Sequence, residues 1–124
     1  MHDPRITQLA TVLIDHSCRL QSGENILIEA FDLPDPQLVC ELVRLAAERG
    51  ATPLVTWKDN RILRTLYQHG TRTGLSLIGE LERARMERMD AYIGIRGAAN
   101  SSEFADVPRP QMDLYQECWW KPVH

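Results

Sequence analysis

The sequence lacks any hydrophobic run that approaches the roughly 18 residues of a membrane-spanning helix. Its first residues also lack the basic and then apolar pattern of a secretory signal peptide. There is little excess charge, because 14 basic and 17 acidic residues give a net charge of −3. Nucleic-acid-binding proteins are usually basic, so this balance argues against that class of partner. We therefore expect a cytoplasmic chain with neither a membrane nor a nucleic-acid partner.

Cysteine is scarce, and histidine is widely spaced. The three cysteines, Cys18, Cys40 and Cys118, form no close pair, so we interpret them as isolated thiols rather than as a disulfide framework or a zinc site. No two histidines have the helical spacing of a zinc peptidase, and glycine-rich phosphate loops and a nucleophile elbow are absent. The chain is therefore assigned no catalytic residue, no cofactor-binding residue and no metal ligand, and a nucleotide-binding enzyme is not expected.

The residues that are present indicate one globular domain with alternating helices and strands. The chain has 124 residues, of which 44% are hydrophobic, and both values are typical of a single soluble domain. Short apolar runs predict strands at 25–30, 52–57 and 91–96, and helical patterns separate them. Such alternation predicts an α/β fold with three layers: a mostly parallel sheet in a Rossmann-like order, with helices on its faces.

Two of the predicted helices, at 60–69 and 75–89, carry apolar residues at positions i, i+1 and i+4. This spacing predicts which side of each helix faces the core. The residues are Ile62, Leu63 and Leu66 on the first helix, and Leu77, Ile78 and Leu81 on the second. The charged second half of the later helix, which includes Glu82, is expected to face solvent. Residues 97–110 are predicted as a loop, and 111–120 as a last helix.

Polar residues follow each predicted strand, and in open parallel sheets ligands lie outside the carboxyl ends of the strands. We therefore treat these strand-end residues as weak candidates for a substrate cavity, with no catalytic role. Ordinary helix caps and loop residues are the simpler alternative. The candidates are Asp32, Lys58, Asp59, Arg96 and Asn100.

Several strings resemble one known family. Asp3-Pro-Arg-Ile, Gly23-Glu-Asn-Ile-Leu-Ile, Ala46-Ala-Glu-Arg-Gly50 and Asp90-Ala-Tyr-Ile-Gly-Ile-Arg-Gly97 are similar to segments of the thermophilic-type metallo-aminopeptidases, the family of aminopeptidases T and S. The resemblance spans nearly all of the chain. Its motifs are structural rather than catalytic, so they carry over no site residue.

The resemblance implies a cytoplasmic, dimeric enzyme that removes N-terminal residues from peptides with two divalent metal ions. The family's metal ligands lie in a C-terminal part that this sequence does not contain. Residues 1–124 are therefore expected to be the N-terminal α/β domain of a larger aminopeptidase, inactive alone, which shapes one wall of the substrate cavity and supports assembly with its own C-terminal domain. The alternative is a free-standing α/β binding or interaction domain without peptidase activity.

Two tryptophans, Trp119 and Trp120, lie within the last six residues. They expose a large apolar area unless something covers them. Folding back onto the domain's own surface is one explanation. We favour the other, a contact with a following domain.

Overall fold

The computed structural model describes residues 3–97, 104 and 106–124. Helices and strands alternate through the first three-quarters of the chain, and helices follow. In chain order the elements are α1 (Pro4–Thr11), a first π-helical turn (Val12–Ser17), β1 (Asn25–Phe31), α2 (Gln37–Glu48), β2 (Thr52–Lys58), α3 (Asn60–His69), α4 (Arg72–Met86), β3 (Ala91–Arg96), α5 (Arg109–Tyr115), a second π-helical turn (Gln116–Trp120) and α6 (Lys121–Val123).

The three strands form one parallel sheet in the order β2-β1-β3, so the predicted α/β class with an open parallel sheet is confirmed. The pairing of β1 with β3 runs from Ile26 beside Ala91 to Phe31 beside Arg96. The predicted strand bounds are correct to within one residue. The reason is that short apolar runs bounded by turn residues specify buried parallel strands well.

The described residues group into two compact units, one made of 3–57 and 89–97 and the other of 58–88, 104 and 106–124. The first unit contains the sheet, α1 and α2. Its core lies between the two helices and one face of β1, where Ile14, Ile28 and Leu42 are fully buried. β1 is buried along nearly its whole length, as expected for the central strand of a parallel sheet.

The second unit contains the remaining helices, which pack around a cluster of aromatic rings. Tyr67 of α3 lies 4.1 Å from the ring centre of Tyr115 and 5.5 Å from that of Trp119. Trp119 is only 6% exposed and folds back into this cluster, whereas Trp120 is 42% exposed and stacks on His124. The expected contact with a following domain is therefore wrong for Trp119, because rings of its own unit cover it.

Two predicted helix faces are wrong in part: Leu63 is buried as predicted and Ile78 is half-buried, but the other predicted residues are exposed. On α3 the buried residues are Leu63 and Tyr67, while Ile62 is 62% exposed and Leu66 is 38% exposed. On α4 the buried residues are Leu75 and Gly79, while Leu77 and Leu81 are more than half exposed.

Helix α4 begins at Arg72, three residues before its predicted start, and ends at Met86. The side chain of Thr71 accepts a hydrogen bond from the backbone N–H of Gly74 at 3.0 Å and so caps the helix. The last helical segment likewise begins earlier than predicted, at Arg109, with Pro110 in its first turn.

The three cysteines are free thiols: Cys40 is exposed, Cys18 is half-buried and Cys118 is buried. Burial raises the pKa of the Cys18 thiol. Within the described ranges, no helix combines the length and the apolar character that crossing a membrane requires.

Candidate functional site

Asp32 and Arg96 lie at the same end of the sheet, at the carboxyl ends of β1 and β3. The backbone N–H of Gly97 donates to the carbonyl oxygen of Phe31 at 2.8 Å, and the Arg96 guanidinium lies over the Phe31 ring, 4.4 Å from its centre. A Cβ at Gly97 would overlap the carbonyl oxygen of Asp32, so only glycine allows this close approach. Asp32 is exposed and has a φ of 54°, a conformation that aspartate tolerates better than most residues. Their role at a substrate cavity stays a prediction.

Asp59 caps the N-terminus of α3. Its carboxylate accepts a hydrogen bond from the backbone N–H of Arg61 at 2.7 Å, and the Arg61 guanidinium donates to it at 2.6 Å. The Arg61 side chain, followed by the Arg61 backbone N–H, lowers the pKa of Asp59 to about 2. A carboxylate with so low a pKa is a poor proton acceptor near neutral pH, so the local structure of Asp59 is that of a helix cap.

Lys58 belongs to a largely buried cluster of three side chains, which we call the Lys58–Glu82–Trp119 cluster. The Lys58 ammonium lies 2.9 Å from one carboxylate oxygen of Glu82, and the Trp119 indole N–H donates to the other at 2.6 Å. The ammonium also lies 5.7 Å from the centre of the Trp119 ring. The side chains of Lys58 and Glu82 are only 18% and 17% exposed. The prediction that the second half of α4 faces solvent is therefore wrong at Glu82.

Glu29 is a buried polar residue that the sequence reasoning missed. It lies in the middle of β1 and is only 6% exposed. Its carboxylate accepts hydrogen bonds from the Thr56 hydroxyl of β2 and from the Tyr92 hydroxyl of β3, both at 3.0 Å. A single glutamate within the apolar run of β1 was the signal in the sequence, because a buried carboxylate needs partners on the neighbouring strands.

The outer side of α3 borders an open surface depression of about 720 Å³. Ile62 and Leu66 supply its apolar area, and Asp59 and His69 lie toward opposite ends of the helix. The lining residues are Asp59, Arg61, Ile62, Thr65, Leu66, His69 and Gly70. Sequence reasoning missed this surface because it assigned Ile62 and Leu66 to the core.

The described residues do not fit a metal site. Within 3–97, 104 and 106–124, no three side chains of histidine, cysteine, aspartate or glutamate come together. A catalytic metal ion in proteins generally has at least three such ligands. The last sequence candidate, Asn100, lies outside the described residues.

Comparisons with known proteins identify the family. The model of the thermophilic metalloprotease (M29) family matches residues 2–118. The fold matches that of wild-type AmpT from Thermus thermophilus with a TM-score of 0.71 at 16% sequence identity. This match covers 97% of the present chain but only 31% of the AmpT chain. No curated protein matches the sequence.

Both comparisons match nearly all of the chain rather than a short segment. The family match includes all three strands of the sheet and extends to Cys118 of the second π-helical turn. A match over so much of the sequence identifies the whole α/β region rather than one motif. The chain therefore belongs to the thermophilic metalloprotease (M29) family.

Proposed function

We propose that this chain is the N-terminal, non-catalytic domain of a metal-dependent aminopeptidase that releases N-terminal residues from peptides. The family match over residues 2–118 is the observation that carries the proposal. The structural match supports the position within a longer protein, because the shared fold accounts for 31% of the AmpT chain. In this proposal the two divalent metal ions and their ligands belong to the C-terminal domain.

The bonding of the strand-end residues supports a structural rather than a catalytic role. Asp59 is used as a helix cap, and Lys58 is held by Glu82 beneath Trp119. We propose that Asp32 and Arg96, at the carboxyl ends of β1 and β3, form part of one wall of the substrate cavity. We further propose that the complete protein is a cytoplasmic homodimer and that this domain supports its assembly.

The test is an activity and metal assay on the purified 124-residue chain. We expect no hydrolysis of leucyl-p-nitroanilide above the buffer rate with added Zn²⁺, Co²⁺ or Mg²⁺, and no stoichiometric metal by mass spectrometry after desalting. A commercial leucine aminopeptidase serves as the positive control for the substrate. Turnover that copurifies with the chain and disappears with a chelator would show that the chain is itself catalytic.

The exposed apolar surface of α3 favours the alternative, a free-standing binding domain. Ile62 is 62% exposed and Leu66 38% exposed, and both line the depression beside α3, where apolar side chains of a partner chain would pack. The two proposals differ in the length of the gene product. An intact mass that equals the 124-residue chain, measured on the protein isolated from its own cell, supports the binding domain. A longer product supports the aminopeptidase.

A further inference from the structure

We propose that the outer edge of β3 is the docking site for a fourth parallel strand, supplied by the remaining polypeptide of the complete protein. This inference rests on the proposed function, because it requires a polypeptide longer than the present chain. The sheet order β2-β1-β3 places β3 at an edge, with β1 as its neighbour among the described strands. An edge strand presents a row of backbone donors and acceptors that can pair with another strand.

The backbone of β3 has a defined outer row of hydrogen-bonding groups. The N–H of Gly97 donates toward β1, to the carbonyl of Phe31, at 2.8 Å. Because N–H and C=O groups alternate sides with a period of two, Ile95 also donates toward β1, whereas Gly94 and Arg96 direct their backbone groups away from it. The outer row therefore includes the N–H groups of Gly94 and Arg96, neither of which is a proline, and the carbonyl of Gly94.

The opposite edge of the sheet is different. The N–H of Thr52 donates toward β1, to the carbonyl of Glu24, at 2.8 Å. The same alternation directs the backbone groups of Pro53, Val55 and Trp57 away from β1. Proline has no N–H, and natural sheets use proline on edge strands to prevent further pairing. The sheet is therefore built to end at β2 and can be extended at β3.

The topology identifies a parallel strand as the occupant. The order β2-β1-β3 is the beginning of the doubly wound order 2-1-3-4-5, in which the next strand lies beside the third. The AmpT chain has a similar fold over only 31% of its length, so a protein of this type has ample polypeptide from which a fourth strand can come. β1 is buried on both sides, but in β3 Gly94 and Arg96 are exposed and Ile95 is only half-buried. A fourth strand would place β3 inside the sheet, and helices on the faces of the enlarged sheet would then cover these side chains.

Amide hydrogen exchange by NMR tests the inference residue by residue. In the 124-residue chain we expect the amides of Gly94 and Arg96 to exchange at least ~100-fold faster than that of Ile95, because stable strand pairing is what slows exchange. In the longer product of the complete reading frame, the same two amides should slow at least ~100-fold and fall within about tenfold of Ile95. Val55 and Trp57 are the matched controls on the other edge, and their amides should exchange fast in both proteins.

The outcomes separate this inference from the proposed function. A longer protein in which Gly94 and Arg96 exchange as fast as in the short chain overturns strand addition and leaves the proposed function standing. A reading frame that stops at His124 overturns both. Slow exchange of Gly94 and Arg96 in the short chain, if it increases with protein concentration, identifies a second copy as the occupant and overturns the strand in cis. If it is independent of concentration, the chain covers its own edge, and the inference is wrong.

Discussion

Replacing Glu82 by glutamine tests whether the Lys58–Glu82–Trp119 cluster stabilises the second unit. Glutamine keeps an amide oxygen that can accept from the Trp119 indole but removes the charge that balances Lys58. Both charged side chains are more than four-fifths buried, so the loss of the charge is poorly compensated by water. A hydrogen bond to a charged group contributes about 1.5–3 kcal/mol, so we expect Glu82→Gln to lower the free energy of unfolding by about 2 kcal/mol.

The assay is urea and thermal unfolding followed by far-UV circular dichroism. For a chain of this size about 2 kcal/mol corresponds to a decrease in Tm of roughly 8 °C. The matched control is Glu87→Gln, at the residue that caps the C-terminus of α4. Glu87 lies 2.9 Å from the guanidinium of Arg83, but the side chains of this pair are 63% and 61% exposed. Exposed pairs at this spacing contribute about 0.3–0.5 kcal/mol.

A double-mutant cycle of Glu82→Ala with Trp119→Phe gives a second measurement, because alanine, unlike glutamine, removes the acceptor of the indole hydrogen bond. Because the two side chains share a 2.6 Å hydrogen bond, we expect a coupling energy of about 1 kcal/mol. The reasoning is refuted if Glu82→Gln costs no more than Glu87→Gln, or if the two changes in the cycle are additive.

Two further predictions concern a glycine and a helix cap. A Cβ at Gly79 would overlap the carbonyl oxygen of Cys118, so Gly79→Ala should lower the free energy of unfolding by about 2 kcal/mol, although alanine favours helices by about 1 kcal/mol. Gly74 is the control, because a Cβ there would meet only a side-chain oxygen at 3.2 Å, and Gly74→Ala should change the free energy of unfolding by less than about 1 kcal/mol. Equal effects of the two substitutions would contradict the close packing at Gly79. The Asp59 carboxyl should titrate at about 2 by carbon-detected NMR, and its contribution to stability, present above pH ~4, should be lost as the pH falls toward that midpoint. Arg61→Ala should raise the midpoint toward the ordinary value, and an unchanged midpoint would show that Arg61 is not the cause.

The parts of the fold that local pattern determines were predictable. The strands were found because each is a short apolar or β-branched run between turn residues. Helix α3 was found because its apolar residues have helical spacing and Gly70 closes it. The inward faces of α3 and α4 were not predictable from spacing alone. Tyr67 is buried by rings more than 35 residues away in sequence, and periodicity contains no information about those partners.

The face of α4 fails for a different physical reason. This helix packs through Gly79 against the backbone of Cys118 and Trp119, so its closest contact involves a residue without a side chain. A search for hydrophobic periodicity counts side chains and therefore selected Leu77 and Leu81, which are exposed. Glu82 was missed for a related reason: it lies within a run of charged residues, and only the folded chain brings Lys58 and Trp119 to it.

The placement of Asp32 near Arg96 follows from topology, since the carboxyl ends of neighbouring parallel strands lie at the same end of the sheet. The ligand of these groups does not follow from topology. In the proposed function, the other walls of the substrate cavity belong to the C-terminal domain. The buried Glu29, in contrast, was available in the sequence as a lone carboxylate in an apolar strand.

The neighbouring tryptophans have an optical consequence. Trp57 and Trp120 are 50% and 42% exposed, whereas Trp119 is enclosed by protein. The intrinsic fluorescence of the chain is thus a mixture in which two water-exposed indoles mask the buried one. Phenylalanine at positions 57 and 120 would leave Trp119 as the single tryptophan. With the ring centres of Tyr67 and Tyr115 at 5.5 and 5.4 Å from that of Trp119, energy transfer from these two rings would then report on the ring cluster.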